Sequence, residues 1–304
     1  MTRWQEMIDN LVDLLPAAPA TVVVDGAGER NALVADRLTQ ALDPQVLVTA
    51  GPGWRESRPD ALVWLRLLPG KADGPEHQAD VVIDLHDPEW PVIRHVDQRL
   101  ADRTRWYLPE SRAFFAVRAA TWDAKFGDDL PAYAAAVAEA ALPAGGTAVD
   151  VGCGTGRALP ALRAAVGPAG LVLGVDITPE MLAVAKERAA TLLLADARRL
   201  PLGDAVVDGI FAAGLVAHLP DPTDGLRELA RVTRPGGRLV IFHPSGRAAL
   251  AARHGRPVRA DEPLSPGPLA ASTAAAGWRL DRYDDPEHRF LAVATRMRQA
   301  GPVS

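Results

Sequence analysis

Three glycines at alternate positions, Gly152, Gly154 and Gly156, follow the short apolar run Thr147-Ala148-Val149-Asp150-Val151 and open a helical segment. Glycine there lets the backbone turn tightly and lets a ligand approach the bare main chain, while the helix N-terminus offers unpaired N–H groups. A dinucleotide fingerprint would want its third glycine or an alanine at position 157, where the chain has Arg157, and the nicotinamide reading is weakened accordingly. The next apolar run, Leu171 to Val175, ends in Asp176, whose carboxylate can accept hydrogen bonds from both hydroxyls of a ribose. Asp196 recurs at the end of the strand after that. The chemistry this spacing serves is the binding of an adenosine-type ligand. His218 and His243, each just past a later strand, could move a proton near neutral pH. Tyr107, Trp122 and Phe126 could form a lid, with ordinary helix packing as the alternative. Arg247, with Arg253, His254 and Arg256, could bind an anionic acceptor, with a solvated basic loop as the alternative.

These residues need a scaffold, and strand-like apolar runs alternate with amphipathic segments in both halves of the chain, the pattern of parallel sheets covered by crossover helices. In the first half, strands are expected at Ala20 to Asp25, Gln45 to Thr49, Ala61 to Leu65 and Asp80 to Asp84, with a helix from Asn31 to Leu42. Gly51 to Gly53 and Pro69 to Pro75 read as loops. The pattern turns helical between Pro109 and Leu142. From Thr147 the alternation resumes and runs to Phe242, a loop-rich span follows from Pro244 to Pro268, and the end reads as a helix and two strands near Leu280 and Phe290. Thr178 followed by Pro179 is a helix-start signal beside Asp176. Leu226, Leu229, Ala230 and Thr233 give one apolar helix face, which Pro235-Gly236-Gly237 should end. The expected organisation is an N-terminal α/β domain over 1–108, a helical connector or lid over 109–146, and a ligand-binding α/β domain over 147–304.

The segment from about Thr147 to Phe242 resembles class I S-adenosylmethionine-dependent methyltransferases, especially the small-molecule branch typified by ubiquinone/menaquinone-type enzymes. Four motifs carry the resemblance in order: Val149-Asp150-Val151-Gly152-Cys153-Gly154-Thr155-Gly156; Gly174-Val175-Asp176-Ile177-Thr178-Pro179-Glu180-Met181-Leu182; Ala195-Asp196-Ala197; and Asp208 to Asp221 leading to Arg234-Pro235-Gly236-Gly237-Arg238-Leu239. The resemblance implies a Rossmann-like, mostly parallel seven-stranded sheet with helices on both faces. It also implies S-adenosyl-L-methionine as cofactor, with Asp150, Gly152, Cys153, Gly154 and Gly156 around its methionine part. Asp176 would hold the ribose, Ile177 would lie against adenine, Asp196 and Ala197 would meet the adenine edge, and Ala212 would stand at the end of the fourth strand. The implied reaction is in-line methyl transfer to a small molecule; a cofactor-sensing regulator and an RNA methyltransferase are the alternatives. The fourth-strand loop lacks a [DN]-P-P-Y type sequence, and no carboxylate cluster with metal-ligand spacing follows that strand.

Val22 to Leu33 faintly resembles the phosphate-binding loop of uridine-kinase-like proteins, helped by Ala79 to Asp84 and Asp87-Pro88. The loop has no lysine and carries Glu29 where phosphate would sit, so this domain is expected to be a degenerate, non-catalytic kinase-like scaffold, covering the pocket or mediating homodimerisation, with a generic α/β domain as the alternative.

Composition sets the outer bounds. The chain's 304 residues have room for about two domains of roughly 150. Hydrophobic residues at 48% and charged residues at 23% are ordinary globular usage, against wholesale disorder or coiled coil. A net charge of −5 lacks the positive field that non-specific nucleic-acid binding draws on. The single cysteine, Cys153, excludes an intrachain disulfide framework and suits a reducing cytoplasm. No apolar stretch approaches the roughly 18 residues of a membrane span, and no secretion signal is expected.

Overall fold

The computed structural model describes residues 2–67, 75–97, 99–100, 104–126, 128–188, 191–253, 255 and 257–298, without the side chains of Pro75, His77, Thr104, Lys125 and Phe126. The chain divides into two compact units, Met1–Phe114 with Ala252–Arg256, and Phe115–Ala251 with Pro257–Ser304.

In the first unit, α1 (Arg3–Leu14) precedes β1 (Ala20–Asp25), α2 (Arg30–Ala41), β2 (Val46–Ala50), β3 (Ala61–Arg66), β4 (Val81–Asp84) and β5 (Val92–Val96), and α3 (Tyr107–Ala116) crosses the division. The sheet order is β2-β1-β3-β4-β5. The first four strands pair in parallel and β5 runs antiparallel to β4. Sequence periodicity leaves out two elements here. One is α1, whose Met7, Ile8, Leu11 and Leu14 are buried although charges interrupt the run. The other is β5, where Arg94 and His95 break the apolar pattern. The buried Arg3 guanidinium donates to the fully buried Glu110 carboxylate and to the Pro91 carbonyl, joining α1 to α3. Part of the expected loop over 69–75 lies outside the described residues.

The second unit contains α4 (Trp122–Phe126), α5 (Leu130–Ala138), β6 (Thr147–Val151), α6 (Leu159–Val166), β7 (Leu171–Asp176), α7 (Pro179–Ala185), β8 (Thr191–Leu194), β9 (Val207–Ala213) and α8 (Pro222–Val232). It continues through β10 (Thr233–His243), α9 (Arg247–Arg253, which crosses the division at Ala251), α10 (Pro266–Ala275), β11 (Trp278–Asp284) and β12 (Phe290–Arg296). Its seven-stranded sheet has the order β11-β12-β10-β9-β6-β7-β8. Strands β6 to β10 pair in parallel, and β12 is antiparallel to both β10 and β11. The Rossmann-like α/β class expected from the resemblance is therefore the observed one.

The strand order reverses between β6 and β9, because the chain proceeds from β6 outward to β7 and β8 and then returns to β6's other side. A crevice opens at the carboxyl ends of strands at such a point, and it is the general ligand position of doubly wound sheets. Below it the core is closed by Phe211, Phe242 and Tyr133, with ring centroids 5.0 to 6.1 Å apart.

Three local expectations differ from the structure. Helix α8 ends at Val232, ahead of Pro235-Gly236-Gly237, and those residues form the irregular start of β10, where the register with β9 shifts between Thr233 and Arg238. Helix α9 lies inside the span read as loop-rich. Thr178 occupies the N-cap position of α7, but its hydroxyl makes no capping bond, and the backbone N–H of Thr178 instead donates to Asp176 Oδ1 at 2.8 Å.

Candidate active site

The loop after β6 is built by glycines at the positions that need them. Gly152, Gly154 and Gly156 have φ of 72°, 52° and 83°, a region that side-chain-bearing residues avoid. A Cβ on Gly156 would meet Leu159 Cδ1 at 2.7 Å and Ala185 Cβ at 3.2 Å, so the turn can pack on α6 and α7 only without one. A Cβ on Gly154 would meet nothing nearer than Met181 Sδ at 3.9 Å, so the space beside this turn is open.

Asp176, the last residue of β7, accepts from Gly154 N and Thr178 N, each at 2.8 Å, and is 9% exposed. Burial raises its pKa, against the opposing effect of those two backbone donors and, after them, of the Thr178 hydroxyl and the Ile177 N–H. A carboxylate offers about four lone-pair directions, and the two hydrogen bonds at 2.8 Å take one on each oxygen, leaving each oxygen acceptor capacity toward a diol. Asp150, one strand over, pairs in register with Gly174 and Phe211 and is 2% exposed. Its Oδ1 has no hydrogen-bond partner among the described residues, and burial, followed by the charge of Asp176, pushes its pKa up to about 8. Open backbone at Gly154, a half-satisfied Asp176 and an orphaned Asp150 oxygen are the features that a ligand with a ribose diol and a cationic group fits.

Cys153 lies buried in this loop, where burial pushes its thiol pKa up and so disfavours a nucleophilic thiolate. Ile177 is half-buried just beyond Asp176, and Ala212 is buried near the end of β9. Asp196 follows β8 and is held by the Arg198 side chain at 2.7 to 3.1 Å and by Arg198 N at 2.9 Å, while Ala197 beside it is buried.

On the far side of the crevice, His243 closes β10. Its Nδ1 stands 2.9 Å from the Ser245 carbonyl and 3.1 Å from Ser245 N, two contacts that require opposite tautomers. His218 ends the short turn Val216–His218 after β9, is exposed, and lies edge-on to Phe115 with ring centroids 6.0 Å apart. Phe115 also meets Trp122 edge-on at 5.6 Å, so Trp122 joins His218 through a ring that sequence reasoning did not single out as a site residue.

Two expectations for the acceptor side change. Arg247 is no open anion clamp: its guanidinium is only 10% exposed and donates to Ser265 Oγ at 2.6 Å, the Arg259 carbonyl at 2.9 Å, Glu262 at 3.1 Å, the Tyr283 hydroxyl at 3.3 Å and Asp285 at 3.5 Å. Those acceptors lie 12 to 38 residues along the chain, which is why the arginine alone read as a surface cation. Replacing Arg247 by alanine should cost about 3 kcal/mol in urea unfolding, because two carboxylates lose their cation; an acceptor-binding arginine would come out at little cost. Tyr107 is 4% exposed in the first unit, edge-on to Trp106 at 6.0 Å, so its ring is used in packing. The Phe126 side chain, His254 and Arg256 lie outside the described residues.

Comparison with known proteins agrees with this geometry. The family model described as methyltransferase domain matches residues 149–241. An uncharacterised 37.1 kDa protein of transposon TN4556 from Streptomyces fradiae is 41% identical over 105 residues, 33% of this chain and 30% of that protein. Demethylmenaquinone methyltransferase of Shouchella clausii is 38% identical over 111 residues, 34% of this chain and 47% of that enzyme. The chain thus spans less than half the length of these curated relatives. One solved chain, from a complex with the Haloferax volcanii Trm112 methyltransferase activator, shares the fold at a TM-score of 0.50 and 22% identity, covering 60% of this chain and 98% of its own. Motif order, sheet order and these likenesses converge on one segment: residues 149–241 match the methyltransferase-domain family model and lie in a Rossmann-like α/β sheet.

Proposed function

We propose that the chain transfers a methyl group from S-adenosylmethionine to a small-molecule acceptor. The observation that carries this reading is Asp176, fastened by Gly154 N and Thr178 N at the switch-point crevice with acceptor capacity left for a ribose diol. When bound, the cofactor supplies a methyl group already activated by a sulfonium charge. Asp176 would hold the ribose, Asp150 would face positive charge, and the Gly152–Gly156 backbone would leave room for the methionine part. The acceptor would lie toward Phe115, Trp122 and His218, whose rings make an apolar wall suited to a flat organic molecule and unsuited to a phosphate backbone. A quinol-like acceptor fits that wall, and the likeness to demethylmenaquinone methyltransferase supports the same class.

His243 is the residue to receive a proton if the acceptor must lose one. With Nδ1–H donating to the Ser245 carbonyl at 2.9 Å, Nε2 becomes the basic nitrogen. His218 would form part of the acceptor wall. The first unit would be non-catalytic, since its glycine loop is satisfied from within. Gly26 N donates to Asp25 Oδ1 and Ala27 N to Asn31 Oδ1, each at 2.8 Å, and Trp54 Nε1 holds Asp25 Oδ2 at 2.9 Å. Phosphate would have to displace the Asp25 carboxylate and the Asn31 amide oxygen, both buried, to reach those N–H groups.

Calorimetry with S-adenosylmethionine and S-adenosylhomocysteine, followed by a methyl-transfer assay against quinols and phenols, tests the whole. His243→Ala should lower kcat by roughly 10²-fold or more at saturating cofactor with S-adenosylhomocysteine affinity unchanged; equal turnover removes the base role. Tight cofactor binding without transfer to any acceptor would favour a sensing role instead.

A further inference from the structure

One carboxylate ties the connector to the glycine loop. Asp123, on α4, accepts from Thr155 Oγ1 at 2.6 Å, Arg188 Nη2 at 2.7 Å and Arg157 Nη1 at 3.0 Å. Thr155 and Arg157 belong to the loop after β6, and Arg188 to the turn after α7, so Asp123 joins the two segments that flank Asp176's side of the crevice. Arg188 also donates to the Thr155 carbonyl, and Arg157 to Asp129 just before α5. Burial works against the charge on Asp123, but the hydrogen bonds from Thr155, Arg188 and Arg157 outweigh it and hold the carboxyl below its ordinary pKa. Two arginines and two aspartates balance in charge, and the Arg157 guanidinium is 6% exposed beside the Tyr133 ring, 5.7 Å from its centroid. Such a cluster holds one geometry well, because Asp123, Arg157 and Arg188 are each restrained by more than one partner.

The residue before Asp123 is Trp122, which meets Phe115, which in turn meets His218. A continuous run of contacts therefore leads from Thr155, between the positive-φ glycines 154 and 156, to the aromatic wall on the β9 side.

We propose that Asp123 is a positioning residue that makes the aromatic acceptor wall depend on the state of the cofactor loop, so that cofactor binding orders α4 and the wall before the acceptor enters. This rests on the cofactor reading above. A cofactor seated against Gly154 fixes the backbone of Thr155, whose hydroxyl and carbonyl are both tied into the cluster. That fixation removes freedom from α4, and a later ligand on Phe115 and Trp122 then has less ordering to do. Arg157 thereby gains a positive role: it stands where a dinucleotide loop would want a small residue because here the loop is gripped by the connector through Asp123 and Asp129.

Hydrogen exchange of the full chain, with and without S-adenosylhomocysteine, tests the coupling. In the wild-type protein, ligand should slow exchange at least tenfold in both 152–157 and 122–126. In Asp123→Asn, ligand should still protect 152–157 with affinity reduced about tenfold, while 122–126 no longer responds; Asp123→Glu should restore part of that response. Thr155→Val, which removes one bond of the cluster and leaves its charges intact, should give an intermediate response and serves if Asp123→Asn does not fold. If 122–126 responds to ligand equally in wild type, Asp123→Asn and Thr155→Val, the coupling is overturned. A wild-type protein that binds neither S-adenosylhomocysteine nor S-adenosylmethionine overturns the cofactor reading itself, and this inference with it.

Discussion

Asp176→Ala should weaken S-adenosylhomocysteine binding by roughly 10²- to 10⁴-fold while leaving a folded protein. The figure follows from two hydrogen bonds between a charged oxygen and a ribose diol, each contributing about 1.5–3 kcal/mol net. The alanine variant also strands Gly154 N and Thr178 N, which both give their hydrogen to Asp176 at 2.8 Å. A loss of fold stability will accompany the loss of affinity, and chemical denaturation measures the two separately. Asp176→Asn discriminates further: it keeps one carbonyl oxygen for a backbone donor but cannot present two acceptor oxygens, so its stability should recover more than its affinity. Calorimetric titration decides the matter. An affinity for S-adenosylhomocysteine within threefold of wild type in Asp176→Ala would remove the ribose contact, and with it the observation on which the function rests.

The residues around this contact differ in how far a sequence can announce them. Strands β6 and β7 are legible because an apolar run that stops at glycines or at a lone carboxylate has few other uses, and Thr147–Val151 and Leu171–Asp176 are observed at the expected positions. The carboxylates that grip Arg157 are of another kind. Asp123 and Asp129 precede it by 34 and 28 residues, on segments whose own pattern is merely helical. Nothing local to position 157 says that its guanidinium will be buried, so the sequence shows only a departure from a dinucleotide fingerprint. Arg247 misleads for the same reason, since a basic residue near other arginines reads as a solvated patch until Glu262 and Asp285 fold back on it. In α1, charges mask a helix whose apolar face becomes evident only once the sheet it covers is known, and its Arg3 finds Glu110 more than a hundred residues away. Backbone turns and strand ends are local properties; ion-pair partners are products of topology.

Asp150 makes the second large effect a matter of pH. Burial, and then the neighbouring charge of Asp176, pushes its carboxyl up to about 8 from an ordinary value of 3.8. The folded protein therefore binds more protons than the unfolded chain between about pH 4 and pH 8, and linkage makes its stability fall as pH rises through that window. Asp150→Asn keeps the shape and removes the titration, so urea unfolding should show the variant gaining on the wild type from pH 5 to pH 8, with no further gain above. Cofactor affinity should run the other way. A cationic ligand beside Asp150 favours the ionised carboxylate, so binding releases a proton and affinity rises with pH, approaching about tenfold per unit below 8 for a single linked proton. Asp150→Asn should bind more weakly at pH 8 and have a flatter profile, and calorimetry in two buffers of different ionisation enthalpy counts the proton directly. An affinity in the wild-type protein that is flat from pH 6 to pH 8, with no proton released, would mean that Asp150 is a buried structural acid and that the positive end of the ligand lies elsewhere.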